Sequence, residues 1–167
     1  MSITIDESGL QFGANNNADI FHIENSHIYK SLGDSVSTIE FILYKENHSI
    51  LMIEAKSSSP QPSNRKDFDG FIDEIYVKFA HSIDLFFSII VKRLKDNHNE
   101  MPDNFKTVDY ANAKIKLLLV INGHSIKWLA PISEALTRRL KMQLKTWRLE
   151  VAVLNNELAA DYGLLKQ

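Results

Sequence analysis

Twelve apolar side chains recur at three- and four-residue spacing between Phe68 and Leu94, and no other feature limits the fold of this chain as much. They are Phe68, Phe71, Ile72, Ile75, Tyr76, Phe79, Ile83, Phe86, Phe87, Ile90, Val91 and Leu94. That period is one stripe of a long α-helix. The opposite face carries Asp73, Glu74, Lys78, His81, Asp84 and Lys92, with Glu74 spaced to pair with Lys78. So broad a stripe is core, not a cofactor box, and it must be buried against another layer.

The flanking segments supply that layer. Val36 to Tyr44 and Ile50 to Ala55 are rich in β-branched and aromatic residues, and the polar run Lys45-Glu46-Asn47-His48-Ser49 joins them. Together they predict an antiparallel hairpin. Beyond the helix, Lys116 to Asn122 (KLLLVIN) is a continuous apolar run that predicts a strand buried on both faces. Trp128 to Leu144 follows as a helix with Pro131 in its first turn, then a strand over Leu149 to Leu154 and a closing helix over Asn156 to Leu165. The expected fold class is α/β, with a mixed central sheet flanked by helices.

Elsewhere the signals are shorter. Residues 1–19 predict a short strand (Ile3 to Ile5) and a turn at Asn15-Asn16-Asn17. Residues 20–32 fit a short helix through Ile20, Phe21, Glu24, Ile28 and Leu32, or an extended piece at Phe21-His22-Ile23. Gly33-Asp34-Ser35 is a turn, and Ser57 to Asn64 (with Pro60 and Pro62) and residues 95–113 (with Pro102) are connections.

Several function classes are excluded by what is missing. There is no cysteine, so thiol catalysis, zinc fingers and disulfide frameworks are out. The six histidines have no metal-site spacing, and no G-x-S-x-G, P-loop or dinucleotide fingerprint occurs. At 167 residues one domain, 1–167, is expected. With no signal segment and no apolar run near ~18 residues, a cytoplasmic protein without a membrane partner is expected.

The chemistry concentrates in Ile53-Glu54-Ala55-Lys56-Ser57-Ser58. Strand side chains alternate, so Glu54 and Lys56 share one face and Ile53 and Ala55 the other. Charge on a strand this apolar needs a reason. The hairpin folds Glu40 back beside Glu54, and two converging carboxylates make a hard oxygen site suited to Mg²⁺. A lysine beside such an ion orients or deprotonates an attacking water. The alternative is a structural Glu54–Lys56 pair on a solvent-facing strand.

Glu40 followed by Glu54-Ala55-Lys56 at a strand end, then a long helix and a buried strand, resembles the PD-(D/E)XK nuclease superfamily over roughly residues 20–122. The resemblance implies a restriction-endonuclease-like fold and a metal-dependent nuclease acting on nucleic acid, DNA foremost. It implies Mg²⁺ or Mn²⁺ on Glu40, Glu54 and the Ala55 carbonyl, with Lys56 assisting the water. Many members add a glutamate from an N-terminal helix, for which Glu24 is the candidate. Glutamate at position 40 departs from the usual aspartate. Asp34, in a turn, is the fallback, and the departure keeps open an inactive nuclease-fold module serving as a binding or scaffold subunit.

Charge is segregated along the chain. Residues 1–60 hold three lysines against eight acids, while residues 114–167 hold nine basic residues against four acids. Within the basic part, Arg138, Arg139, Lys141 and Lys145 are candidate phosphate contacts, or else a solvated helix face. A pI near 6.3 argues against a strong autonomous duplex binder, so a homodimer or a protein partner is expected. Family analogy alone suggests defence against foreign DNA, or repair. His81 and His124 are expected at the surface and in a loop, Ser57 and Ser58 at the strand exit, and Trp128 and Trp147 in packing.

Overall fold

A computed structural model of the chain describes residues 2–46 and 48–166. It opens with a hairpin, β1 (Ser2–Glu7) and β2 (Leu10–Asn16), followed by the two-residue strand β3 (Ile20–Phe21) and α1 (His27–Ser31). The expected strand pair is β4 (Phe41–Lys45) and β5 (Ser49–Lys56), and the long helix is α2 (Arg65–Ile90). Then come α3 (Asp103–Lys106), β6 (Lys114–Ile121), α4 (Leu129–Arg139), α5 (Lys141–Thr146), β7 (Leu149–Asn155) and α6 (Asn156–Asp161).

The main sheet is mixed, in the order β3-β4-β5-β6-β7. The pairs β3/β4 and β4/β5 are antiparallel, whereas β5/β6 and β6/β7 are parallel. Alternation along the strands divides the core in two. Ile50 and Met52 of β5, with Leu117 and Leu119 of β6, pack beneath the α2 stripe of Phe71, Ile75, Phe79 and Phe86. Leu51, Ile53 and Ala55, with Leu118 and Val120, face Ile5, Leu10 and Phe12 of the β1–β2 hairpin. Glu54 and Lys56 have the parity of Ile50 and Met52, so they lie on the α2 side. No helix among the described residues is long and apolar enough to cross a membrane.

Several expectations need correction. Residues 36–40 are not strand; β4 begins at Phe41. The preceding segment is buried at Thr38 and Ile39, but its N–H groups go to α2 side chains: Ser37 to His81 Nδ1 (3.2 Å) and Ile39 to Ser82 Oγ (2.9 Å). The β4–β5 pairing ends at Phe41–Ile53, and the two-residue β3 pairs only with Leu43 and Ile42. Residues 20–32 satisfy both readings in turn, with β3, a 3-10 turn (Ile23–Asn25) and α1.

The N-terminal strand runs Ser2–Glu7, longer than the expected Ile3 to Ile5, and pairs with a second strand, Leu10–Asn16, that extends into the expected turn at Asn15-Asn16-Asn17. Ser8 (φ 52°) and Gly9 (φ 75°) form the tight connection. The helix expected over 128–144 is divided at Leu140 into α4 and α5, and the second piece brings Trp147 to a coplanar stack on Phe87 (4.1 Å). α2 stops at Ile90, short of Leu94, because Lys92 turns left-handed (φ 61°) and its N–H returns to the Ile89 carbonyl. α6 likewise ends at Asp161: Gly163 (φ 76°) reverses the chain, and the Leu164 carbonyl accepts from the Gly13 N–H of β2. The 95–113 connection contains α3, anchored by the buried Phe105. Asn47, inside the expected hairpin turn, lies outside the described residues.

Candidate functional site

The β4–β5 register sets the centre of the site. Phe41 pairs with Ile53, so one step further Glu40 stands across from Glu54. Glu54 is fully enclosed, and Glu40 is 12% exposed. The cation that both share comes from α2. Lys78 Nζ lies 2.8 Å from Glu54 Oε1 and 3.7 Å from Glu40 Oε1. Lys56 Nζ lies 3.4 Å from the same Glu54 oxygen and 2.6 Å from Glu74 Oε1. The i,i+4 pairing of Glu74 with Lys78 expected from spacing is therefore replaced: Glu74 holds Lys56, and Lys78 turns inward to the buried acids. An enclosed carboxylate without a counter-charge is far costlier than an exposed pair forgone, which accounts for the exchange.

Two further acids converge on Glu40. One carboxylate oxygen each from Glu7, Glu24 and Glu40 lie within 4.8 Å of one another. Glu24 is the expected candidate, held in the 3-10 turn Ile23–Asn25 and not in a helix. Glu7 is not among the expected residues. It ends β1, and the turn after it is pinned to the main sheet: the Ser8 hydroxyl donates to the Ala55 carbonyl (3.0 Å), and Asn122 Nδ2 donates to the Ser8 carbonyl (3.1 Å). The sequence signal for Glu7 was Ser8-Gly9 between two alternating apolar stretches.

Crowding of acids shapes the electrostatics. Burial, a carboxyl–carboxyl hydrogen bond to Glu24 and the charges of Glu54 and Glu24 push Glu40 up to about 8, against a smaller opposing pull from Lys78. Burial also raises Glu54, while Lys78 and Lys56 pull it back by charge and hydrogen bonding. Glu7 is raised by burial and by Glu24. Burial alone would lower Lys78, but Glu54, Glu40 and Glu24 outweigh it and keep the ammonium charged.

This donor set fits a hard divalent cation. It offers carboxylate oxygens only, and Glu54 Oε2 is buried with no hydrogen-bond partner. Glu40 links the Glu7–Glu24 side to the Glu54 side. The Ala55 carbonyl, expected as a further ligand, is engaged by Ser8.

The remaining candidates lie elsewhere or serve the fold. Asp34 is an exposed turn residue outside the acidic group. His81 is not a free surface group but accepts from the Ser37 N–H. His124 is buried in its turn, with Ser59 Oγ 3.1 Å from Nε2 and the Trp128 ring edge-on at 5.4 Å. Arg139 is tied to α2, its Nε 2.9 Å from Asp73 Oδ1 and its guanidinium 4.7 Å from the Tyr76 ring centre. Arg138, Lys141 and Lys145 are exposed.

Comparison of the chain with protein-family models, with curated proteins and with solved structures finds no match in any of the three.

Proposed function

We propose that the protein is a divalent-metal-dependent nuclease with a restriction-endonuclease-like core, hydrolysing phosphodiester bonds of nucleic acid, DNA foremost. The observation that carries this reading is the placement of Glu40, one residue before the Phe41–Ile53 pair, across from Glu54, with Lys56 on the same strand face and an unpartnered buried Glu54 Oε2. A structural ion pair alone gives no reason to bring Glu7 and Glu24 to Glu40, which also feels the charge of Glu54. Each raises the cost of ionising its neighbours, and such strain is characteristic of functional sites.

Mg²⁺ or Mn²⁺ bound there supplies a Lewis acid that polarises a phosphate and promotes attack by water. Glu40 and Glu54 hold the ion, with Glu24 and Glu7 completing the carboxylate set. Lys56, at the open end of β5, orients the attacking water. Arg138 on α4 and Lys141 and Lys145 on α5 are exposed and contact phosphates, and Arg139 anchors α4 to α2 at Asp73. A second copy or a protein partner holds the substrate, since the chain carries a net charge of −2.

A second reading, a nuclease-fold module without catalysis, is favoured by two contacts. Lys56 is tied to Glu74 at 2.6 Å, and the Ala55 carbonyl is taken by Ser8. Incubating the protein with linear, circular and single-stranded DNA and with RNA, in Mg²⁺ or Mn²⁺, separates the two readings. The nuclease reading expects cleavage of at least one substrate and its loss in Lys56→Ala. Intact substrates throughout, or cleavage unchanged in the variant, favour the module.

A further inference from the structure

Lys78 stands where its charge is needed and where a metal ion would also have to be. Its ammonium is 2.8 Å from Glu54 Oε1 and 3.7 Å from Glu40 Oε1, in a site from which Glu54 is fully closed to solvent. A divalent ion bound to these oxygens at about 2.1 Å would leave two cations within a few ångströms of each other in an enclosed space, which is unfavourable. The backbone of α2 cannot retreat, because Ile75 and Phe79 on either side of Lys78 are fully buried in the core. The side chain can, since a lysine stem has four rotatable carbons and its end is a point charge without fixed geometry.

The landing place is one helical turn back. Glu74 precedes Lys78 by four residues, the favourable orientation for a helical ion pair, and its carboxylate is half exposed. At present it holds Lys56 at 2.6 Å.

We propose that Lys78 is the site's own exchangeable cation: a divalent ion reaches Glu54 and Glu40 by displacing its ammonium, which pairs with Glu74 and so releases Lys56. This rests on the metal-dependent reading above and adds how the site is loaded. Ion entry and release of the lysine that handles the water are then one exchange of partners. Lys78 is a positioning residue, acting through Glu54, Glu74 and Lys56.

Calorimetric titration with Mn²⁺ tests it without reference to activity. Lys78→Met, which keeps the stem and removes the charge, is expected to bind Mn²⁺ on the order of tenfold more tightly than wild type, and Lys78→Arg to stay within about threefold. Glu74→Gln is expected to weaken binding roughly threefold or more in the wild-type background but not when combined with Lys78→Met. Equal or weaker binding by Lys78→Met, or a Glu74→Gln effect of the same size in both backgrounds, overturns the exchange and leaves the metal site standing. No Mn²⁺ uptake by wild type or by Lys78→Met overturns both. Should Lys78→Met fail to fold, acetylation of wild type with mass-spectrometric mapping decides: Lys78 is expected to become several-fold more reactive with Mn²⁺ present, and unchanged reactivity overturns the proposal.

Discussion

Lys78 reaches from the middle of α2 to within 2.8 Å of Glu54 on β5, and this contact joins the long helix to the only fully buried carboxylate among the described residues. Around that contact the chain concentrates acids whose protonation, mutual repulsion and pairing can be tested separately.

Glu40 is held protonated well above the usual carboxylate range, at about 8. A carboxyl raised on folding contributes stability that is complete below its unfolded value near 4.5 and lost as pH rises through the folded value. The EDTA-treated protein is therefore expected to melt at a lower temperature at pH 8.5 than at pH 5.5. Glu40→Gln cannot ionise and should lose less over that range. Thermal melts of the two proteins across pH check this, and equal losses would contradict it. Mn²⁺ should restore stability at the alkaline end in wild type more than in Glu40→Gln.

Ser82 Oγ accepts the Ile39 N–H at 2.9 Å with both residues closed to solvent. Ser82→Ala leaves that donor unmet, at a cost of about 1–3 kcal/mol. Because Ile39 adjoins Glu40, the variant is also expected to bind Mn²⁺ more weakly. Urea denaturation gives the first quantity and calorimetry the second; full stability in Ser82→Ala would show that this bond does not anchor the segment.

Gly9 has φ 75°, and a Cβ there would lie 2.8 Å from Asn122 Nδ2. Gly33 has φ 82°, with nothing within 4 Å of its Cβ position. Alanine at either position incurs left-handed strain of about 1–2 kcal/mol, and only at Gly9 does it also push against a side chain, that of Asn122. Gly9→Ala is thus expected to be the more destabilising in urea. It should also weaken Mn²⁺ binding, because the turn carries Glu7, while Gly33→Ala leaves the affinity unchanged.

The parts of this architecture visible in the sequence are those set by local period. The α2 stripe, the apolar run of β6 and the alternation that puts Glu54 with Lys56 all depend on spacing along one element, and the structure contains them. What spacing could not show is partner choice across long separations. Glu74 and Lys78 have ideal helical spacing, yet the decisive charge for Lys78 is on a strand 24 residues earlier. The strand propensity of Val36 to Ile39 is real, but its hydrogen-bonding partners are helix side chains 43 and 44 residues away. Glu7 enters the site on a turn pinned through Ser8 to Ala55 and Asn122, 47 and 114 residues away. Each is a contact between elements, and no local pattern encodes it.

Cleavage of supercoiled and single-stranded DNA by wild type and Glu54→Ala, in Mn²⁺ and in EDTA, tests the central claim most directly. The account predicts cleavage by wild type in Mn²⁺ alone, and none by Glu54→Ala, which lacks the enclosed carboxylate between Lys56 and Lys78. Cleavage that persists in EDTA, or in Glu54→Ala at the wild-type rate, would contradict it.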